Sequence, residues 1–185
     1  QIHRWTKQYK ASETQHIPEM EQLIEWLPKN IPPGDKTTIV HGDYRLDNMV
    51  LHPTEPKVIA VLDWELCTLG DPLADFSYHL MNWVMPPGDS SRGSIMAIDD
   101  LAAWGIPSMD EYVDMYCKHT GRDGLPELDY YFAYNGFRLA GILQGIIGRV
   151  RDGTANSANA ESNAARVVPL AQFAAEYARR AGMPG

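Results

Sequence analysis

Residues 39–76, IVHGDYRLDNMVLHPTEPKVIAVLDWELCTLGDPLADF, decide how this chain is read. Ile39 and Val40 are a short β-branched run that delivers the chain to the loop HGDYRLDN, residues 41–48. Met49-Val50-Leu51 and Val58-Ile59-Ala60-Val61-Leu62 are apolar runs joined by the turn-rich HPTEPK, and they predict a hairpin. A hairpin of that length returns Asp63 to the end of the ladder where Asn48 began. The Asp43 carboxylate, the Asn48 amide and the Asp63 carboxylate therefore converge on one patch.

An amide oxygen and a carboxylate are hard donors, suited to a Mg²⁺ ion that also carries substrate phosphates. A separate carboxylate beside them can orient a hydroxyl and accept its proton. These are the parts of phosphoryl transfer, in which positioning and charge neutralisation supply most of the rate. Asp43 and Asn48 stand in the D-x-x-x-x-N spacing of the protein-kinase catalytic loop. His41-Gly42-Asp43 occupies the place of His-Arg-Asp in that loop, and Asp63-Trp64-Glu65 that of Asp-Phe-Gly. Taken singly, an Asp or Asn in a turn is a cap or an Asx-turn. The ordered trio is the signal.

HGDYRLDN, VLDWE and GDPLADFSY together resemble the aminoglycoside phosphotransferase and choline kinase branch of the kinase-like fold. The likeness is narrowest to the kinase-like domains related to those fused to acyl-CoA dehydrogenases. It implies an α+β, predominantly helical chain: the carboxyl-terminal lobe of a protein-kinase-like fold over residues 1–185, with a small β-hairpin carrying the catalytic loop. It further implies ATP and Mg as cofactors, and transfer of the γ-phosphate to a hydroxyl of a small molecule. Hydroxyacyl-CoA, aminoglycosides and choline-like alcohols are the acceptor classes. By the resemblance, Asp43 is the base, and Asn48 and Asp63 hold Mg²⁺ and through it the nucleotide. His41 is a scaffold residue, and Asp75 braces the loop by accepting its backbone N–H groups. No Gly-rich loop, Val-Ala-Ile-Lys-like strand or partner Glu helix stands before His41. The amino-terminal lobe that covers the nucleotide is therefore expected to be missing from this chain, and the chain alone to be inactive.

Three further residues are possible substrate or phosphate contacts. Arg45 either meets a phosphate or pairs locally with Asp47 or Asp43. Glu65 either reaches the metal, directly or through water, or supports its ligands. Arg138, a polar member of an apolar stretch, either meets an anionic substrate or forms a buried ion pair. Two other functional readings stand beside the kinase. One is a non-catalytic kinase-like interaction module. The other is a metal-dependent hydrolase built on His41, Asp43 and Asp63, which predicts transition-metal binding at His41 without nucleotide.

Length and composition set the context. A chain of 185 residues is about one domain with a sizeable core. A net charge of −8 gives no global basic surface for nucleic acid or an anionic membrane. Cys67 and Cys117 lie in no metal or redox spacing, so they read as free thiols of a reducing compartment. The longest apolar stretch, Leu139 to Gly148, is too short to span a bilayer and no signal peptide is evident, so a cytoplasmic protein is expected.

The remaining segments read as helices and connections. Residues 1–15 predict a helix on the lobe surface, with Trp5 and Tyr9 at helical spacing. Residues 17–27 predict a second, with Met20, Leu23, Ile24 and Leu27 on one face. Asp71 and Pro72 read as the N-cap and first residue of a helix that carries Asp75 and His79, the latter as a core or surface histidine. Residues 84–107 are a Pro/Gly/Ser-rich connection, either a loop over the cleft or a surface excursion. Ser108 to Glu111 is a capping box opening a helix to His119, with Tyr112, Met115 and Tyr116 inward. The longest helical pattern runs from Pro126 to about Arg151, and Gly136, Gly141, Gly145 and Gly148 in it suggest close packing against another helix. Residues 152–163 read as a mobile loop before a terminal helix in which Pro169 marks a start or a kink.

Overall fold

The computed structural model of the chain describes residues 1–34, 36–85, 100–154 and 160–185. Its helices are α1 (Ile2–Ser12), α2 (Pro18–Trp26), α3 (Leu73–Val84), α4 (Met109–Thr120), α5 (Leu128–Arg151) and α6 (Ala160–Arg180). Its strands are β1 (Thr38–Val40), β2 (Met49–Leu51), β3 (Val58–Val61) and β4 (Thr68–Gly70). The fold is α+β and predominantly helical.

Helix α5 is the axis on which α1, α3 and α6 pack. Its glycines admit two helices rather than one. At Gly136 an added Cβ would stand 2.9 Å from the Ala174 Cβ of α6. At Gly145 and Gly148 it would stand 2.8 Å from Gln8 Nε2 and 2.6 Å from Ser12 Cβ, both of α1. Polar groups caught in the α1 seam are bonded: Gln144 Nε2 donates to the Ser12 carbonyl at 2.6 Å and to Thr14 Oγ1 at 3.0 Å. Helix α1 thus lies on the surface of the fold as expected, packed along one face with the other exposed. Trp5 and Tyr9 are buried in the main core, because the glycine face of α5 leaves a groove that two large rings fill.

Helix α2 buries Met20 and Leu23 as its spacing predicts, with Leu27 just beyond its end. Helix α6 turns Val167, Leu170, Ala174 and Tyr177 inward and runs through Pro169 rather than starting there. The capping box of α4 is formed, with Glu111 and Ser108 each accepting the other's backbone N–H. Its Tyr112 and Tyr116 rings lie 5.6 and 3.7 Å from that of Phe76. Met115 is 49% exposed, against expectation, because the tyrosine contacts with α3 use a narrower stripe than a full apolar face.

Helix α3 supports the loop and is itself tied to α5. Asn135 Nδ2 donates to the Ala74 carbonyl at 3.1 Å and to Ser77 Oγ at 2.9 Å, with Asn135 and Ser77 fully buried. Asp71 Oδ1 accepts the Leu73 N–H at 2.8 Å and so caps α3, which begins one residue later than the sequence suggests.

The expected hairpin is present: β2 and β3 are antiparallel, with Met49 opposite Val61 and Val50 opposite Ala60. A second antiparallel ribbon, β1 with β4, pairs Val40 with Thr68 and was not legible, since Thr68-Leu69-Gly70 is short and ends in glycine. Much of the connection at 84–107 and of the segment at 152–163 lies outside the described residues. Among the described residues, no helix is long and apolar enough to cross a membrane.

Candidate active site

Strand β1 ends at Val40, and the chain turns sharply at Gly42, whose φ is +84°. A side chain there is excluded twice over. The left-handed backbone disfavours it, and its Cβ would lie 2.7 Å from the Leu66 carbonyl oxygen. Glycine is required at this point for the loop to pass under the turn that follows Asp63.

His41 is 2% exposed and uses both ring nitrogens. Its Nε2 lies 2.7 Å from the Leu62 carbonyl, which can only accept, so Nε2 carries the hydrogen. Its Nδ1 then accepts the Asp43 N–H at 3.2 Å. The imidazole thus ties the end of β3 to the start of the loop at residues 41–48, and packs 4.7 Å from the Trp64 ring. Neither nitrogen retains a lone pair for a metal.

Asp43 and Asn48 are in direct contact. Asn48 Nδ2 donates to the Asp43 carbonyl at 2.9 Å and to its Oδ2 at 3.0 Å. Both partners are acceptors, which fixes the amide orientation and leaves the Asn48 Oδ1 without a hydrogen bond among the described residues. The Leu62 N–H reaches the Asn48 carbonyl at 2.8 Å, so Asp63 begins where the ladder from Asn48 ends. Asp63 adopts φ 65°, ψ 54°, and among the described residues it is the non-glycine residue with positive φ. Such conformations cost of order 1–3 kcal/mol and concentrate at functional sites. Its carboxylate is exposed.

One face of α3 is apposed to the loop residue by residue. Asp75 Oδ2 accepts the His41 N–H at 2.6 Å and Oδ1 the Gly42 N–H at 2.9 Å. Tyr78, one turn on, faces Asp43. Burial pushes its phenol up, the Arg138 guanidinium opposes this, and the Asp43 carboxylate adds to it as a hydrogen-bond partner. His79 lies edge-on to Tyr44 at 6.3 Å, and burial lowers its pKa. Tyr78 escaped the sequence reading; its position three residues after Asp75, on the same helical face, was the available signal.

The three possible contacts fall in different places. Arg45 is ion-paired with Asp47, whose side chain is 71% exposed. Glu65 is exposed on the turn after Asp63. Arg138 is 4% exposed, with its guanidinium on the Gly42 carbonyl, 3.4 Å from Asn135 Oδ1 and over the Tyr78 ring at 4.7 Å. It makes no ion pair with a carboxylate among the described residues. A cavity of about 420 Å³ lies behind the loop, walled by Trp5, Gly42, Asp75, Tyr134 and Arg138, and excludes Asp43, Asn48 and Asp63.

Metal-capable side chains cluster elsewhere: among the described residues, three such groups meet only at Glu13, His16 and Glu21, where Lys10 bonds both glutamates. His41, Asp43 and Asp63 do not form such a cluster, which disfavours the hydrolase. Cys67 is exposed and Cys117 buried, and both are free thiols.

A profile of the phosphotransferase enzyme family matches residues 1–112, the part that holds every element of this loop. The chain belongs to the phosphotransferase enzyme family. The crystal structure of a candidate aminoglycoside phosphotransferase from Ralstonia eutropha superposes with a TM-score of 0.86 at 54% identity, covering 97% of this chain and 54% of that one. Acyl-CoA dehydrogenase family member 10 of Mus musculus is 43% identical over 183 residues, 98% of this chain and 17% of that protein. Member 11 of the same family from Homo sapiens is 40% identical over 189 residues, 97% of this chain and 23% of that protein. This phosphotransferase chain therefore spans about a fifth of the length of these relatives and about half of the solved one.

Proposed function

We propose that this chain is the carboxyl-terminal, catalytic-loop lobe of an ATP- and Mg-dependent kinase that phosphorylates a hydroxyl of a small molecule. The observation that carries the reading is the Asp43–Asn48 contact beside an exposed, left-handed Asp63. The donor set fits Mg²⁺: one amide oxygen without a hydrogen bond among the described residues and one exposed carboxylate, both hard ligands. Asn48 and Asp63 would hold the ion, which when bound neutralises charge on the phosphates.

The chain's own residues do the rest. Asp43, oriented by Asn48 and Tyr78, receives the acceptor's hydroxyl and takes its proton as the new bond forms. His41 and Asp75 keep the loop in place while this happens. Arg45 is available to a phosphate, because its pair with exposed Asp47 is worth only about 0–1 kcal/mol and yields readily to a stronger anion.

An amino-terminal lobe would cover the nucleotide. Ile39, Leu51, Ile59, Leu62 and Leu69, all on or beside the two ribbons, are each more than half exposed. Apolar surface of that kind marks a contact face. We take a hydroxyacyl group carried on coenzyme A as the acceptor, since relatives that share this region are named acyl-CoA dehydrogenases.

The test is transfer of labelled γ-phosphate by the protein carrying both lobes to a 3-hydroxyacyl-CoA, kanamycin and choline in parallel. Labelled hydroxyacyl-CoA supports the reading in full. Labelling of another alcohol keeps the kinase and replaces its acceptor. A folded protein that binds no Mg-ATP would be an interaction module.

A further inference from the structure

We propose that Arg138 is a positioning residue for phosphate transfer, acting through Gly42 on Asp43; the proposal rests on the kinase reading above. A guanidinium at 4% exposure has given up its water, and burial of a charge is unfavourable without compensation. Among the described residues, that compensation is not an ion pair. Its partners are the Gly42 carbonyl, the Asn135 side-chain oxygen at 3.4 Å, the Tyr78 ring at 4.7 Å and the Trp5 ring at 5.7 Å.

Gly42 is consequently gripped from two helices. Asp75 of α3 accepts its N–H at 2.9 Å, and Arg138 of α5 donates to its carbonyl. The two groups belong to successive peptide units, so both torsions about the Gly42 Cα are fixed. Glycine is the residue whose torsions are otherwise freest. Rotation about the second of them swings Asp43 away from the acceptor. The grip is itself part of one network, because Asn135 bonds α3 through Ala74 and Ser77 while its oxygen faces Arg138. A lysine cannot reproduce this, since one ammonium on a flexible stem lacks the planar fork that meets a carbonyl, an amide and two ring faces together.

The experiment compares Arg138→Met and Arg138→Lys with the wild type in two settings. In the protein carrying both lobes, both variants should bind Mg-ATP within about twofold of the wild type, while kcat falls roughly 100-fold, the scale of a misplaced reacting group. Added methylguanidinium should restore part of the rate to Arg138→Ala. In the isotope-labelled present chain, the amide resonances of Gly42 and Asp43 should shift or broaden, and exchange with solvent faster, in both variants. Unchanged amide signals with kcat within about twofold of the wild type would overturn the proposal. A merely structural arginine would instead lower the melting temperature without separating kcat from nucleotide affinity. Should the wild type transfer no phosphate, the kinase reading falls, and the amide signals still decide whether Arg138 holds the loop. If Arg138→Met does not fold, Arg138→Lys carries the same comparison.

Discussion

The side-chain nitrogen of Asn48 donates to Asp43 twice, at 2.9 Å to its carbonyl and 3.0 Å to its carboxylate. The candidate base and the candidate metal ligand are therefore one unit. The amide that gives its nitrogen to Asp43 keeps its oxygen without a hydrogen bond among the described residues. Asn48→Ala should accordingly damage both functions at once, weakening Mg-ATP and slowing transfer. A variant that weakens binding alone, with kcat intact at saturating nucleotide, would separate the two roles.

Asp43→Asn is the cleaner test of the base. The amide is isosteric and keeps the loop's shape but cannot take a proton. Mg-ATP affinity should stay within about threefold of wild type, while kcat falls by about 10²–10⁴, the usual contribution of general-base catalysis. Full activity in this variant would remove Asp43 from the mechanism.

Asp63→Ala removes the one full negative charge proposed for the metal. Its loss should weaken Mg-ATP by about 3 kcal/mol or more, roughly 100-fold, as judged by equilibrium dialysis with and without magnesium. The substitution also relieves nothing the fold needs, since the side chain is exposed. Thermal stability should fall only slightly, by what alanine costs at a left-handed position that aspartate tolerates better.

Gly42→Ala should be costly in stability instead. A methyl group there would meet the Leu66 carbonyl at 2.7 Å on a backbone with φ +84°. Relief requires the loop or the turn after Asp63 to move. A loss of about 1–3 kcal/mol in denaturant unfolding is expected, with loss of transfer beyond what the stability change explains.

His79 gives a pH dependence whose sign is fixed. Burial lowers its pKa from 6.5, so the unfolded chain takes up a proton before the folded one does. Stability contributed by the neutral ring is present above 6.5 and lost as pH falls through the folded value. Unfolding free energy measured from pH 7.5 down to 5.5 should therefore decline more steeply for the wild type than for His79→Gln. Parallel curves would mean that the ring pays no such penalty.

The hairpin and the convergence of Asn48 with the start of Asp63 were legible because two short apolar, β-branched-rich runs flank a turn-rich HPTEPK. The helices on Met20, on the capping box and on the glycine-rich stretch were legible for the same reason: period and caps are local. What escaped was set by distant partners. The partner of Trp5 and Tyr9 is α5, which presents glycines to α1 across more than 130 positions, as the Gln8–Gly141 bond records. Strand β4 exists only because β1 offers an edge. Arg138 reads as a substrate contact or an ion pair in one dimension, and its partner, the Gly42 carbonyl, is 96 residues away.

The most direct single measurement is calorimetric titration of Mg-ATP into the protein carrying an amino-terminal lobe, with the present chain alongside. Magnesium-dependent binding to the longer protein, and little to the present chain of 185 residues, is the expected result. A well-folded longer protein that takes up no Mg-ATP would contradict it.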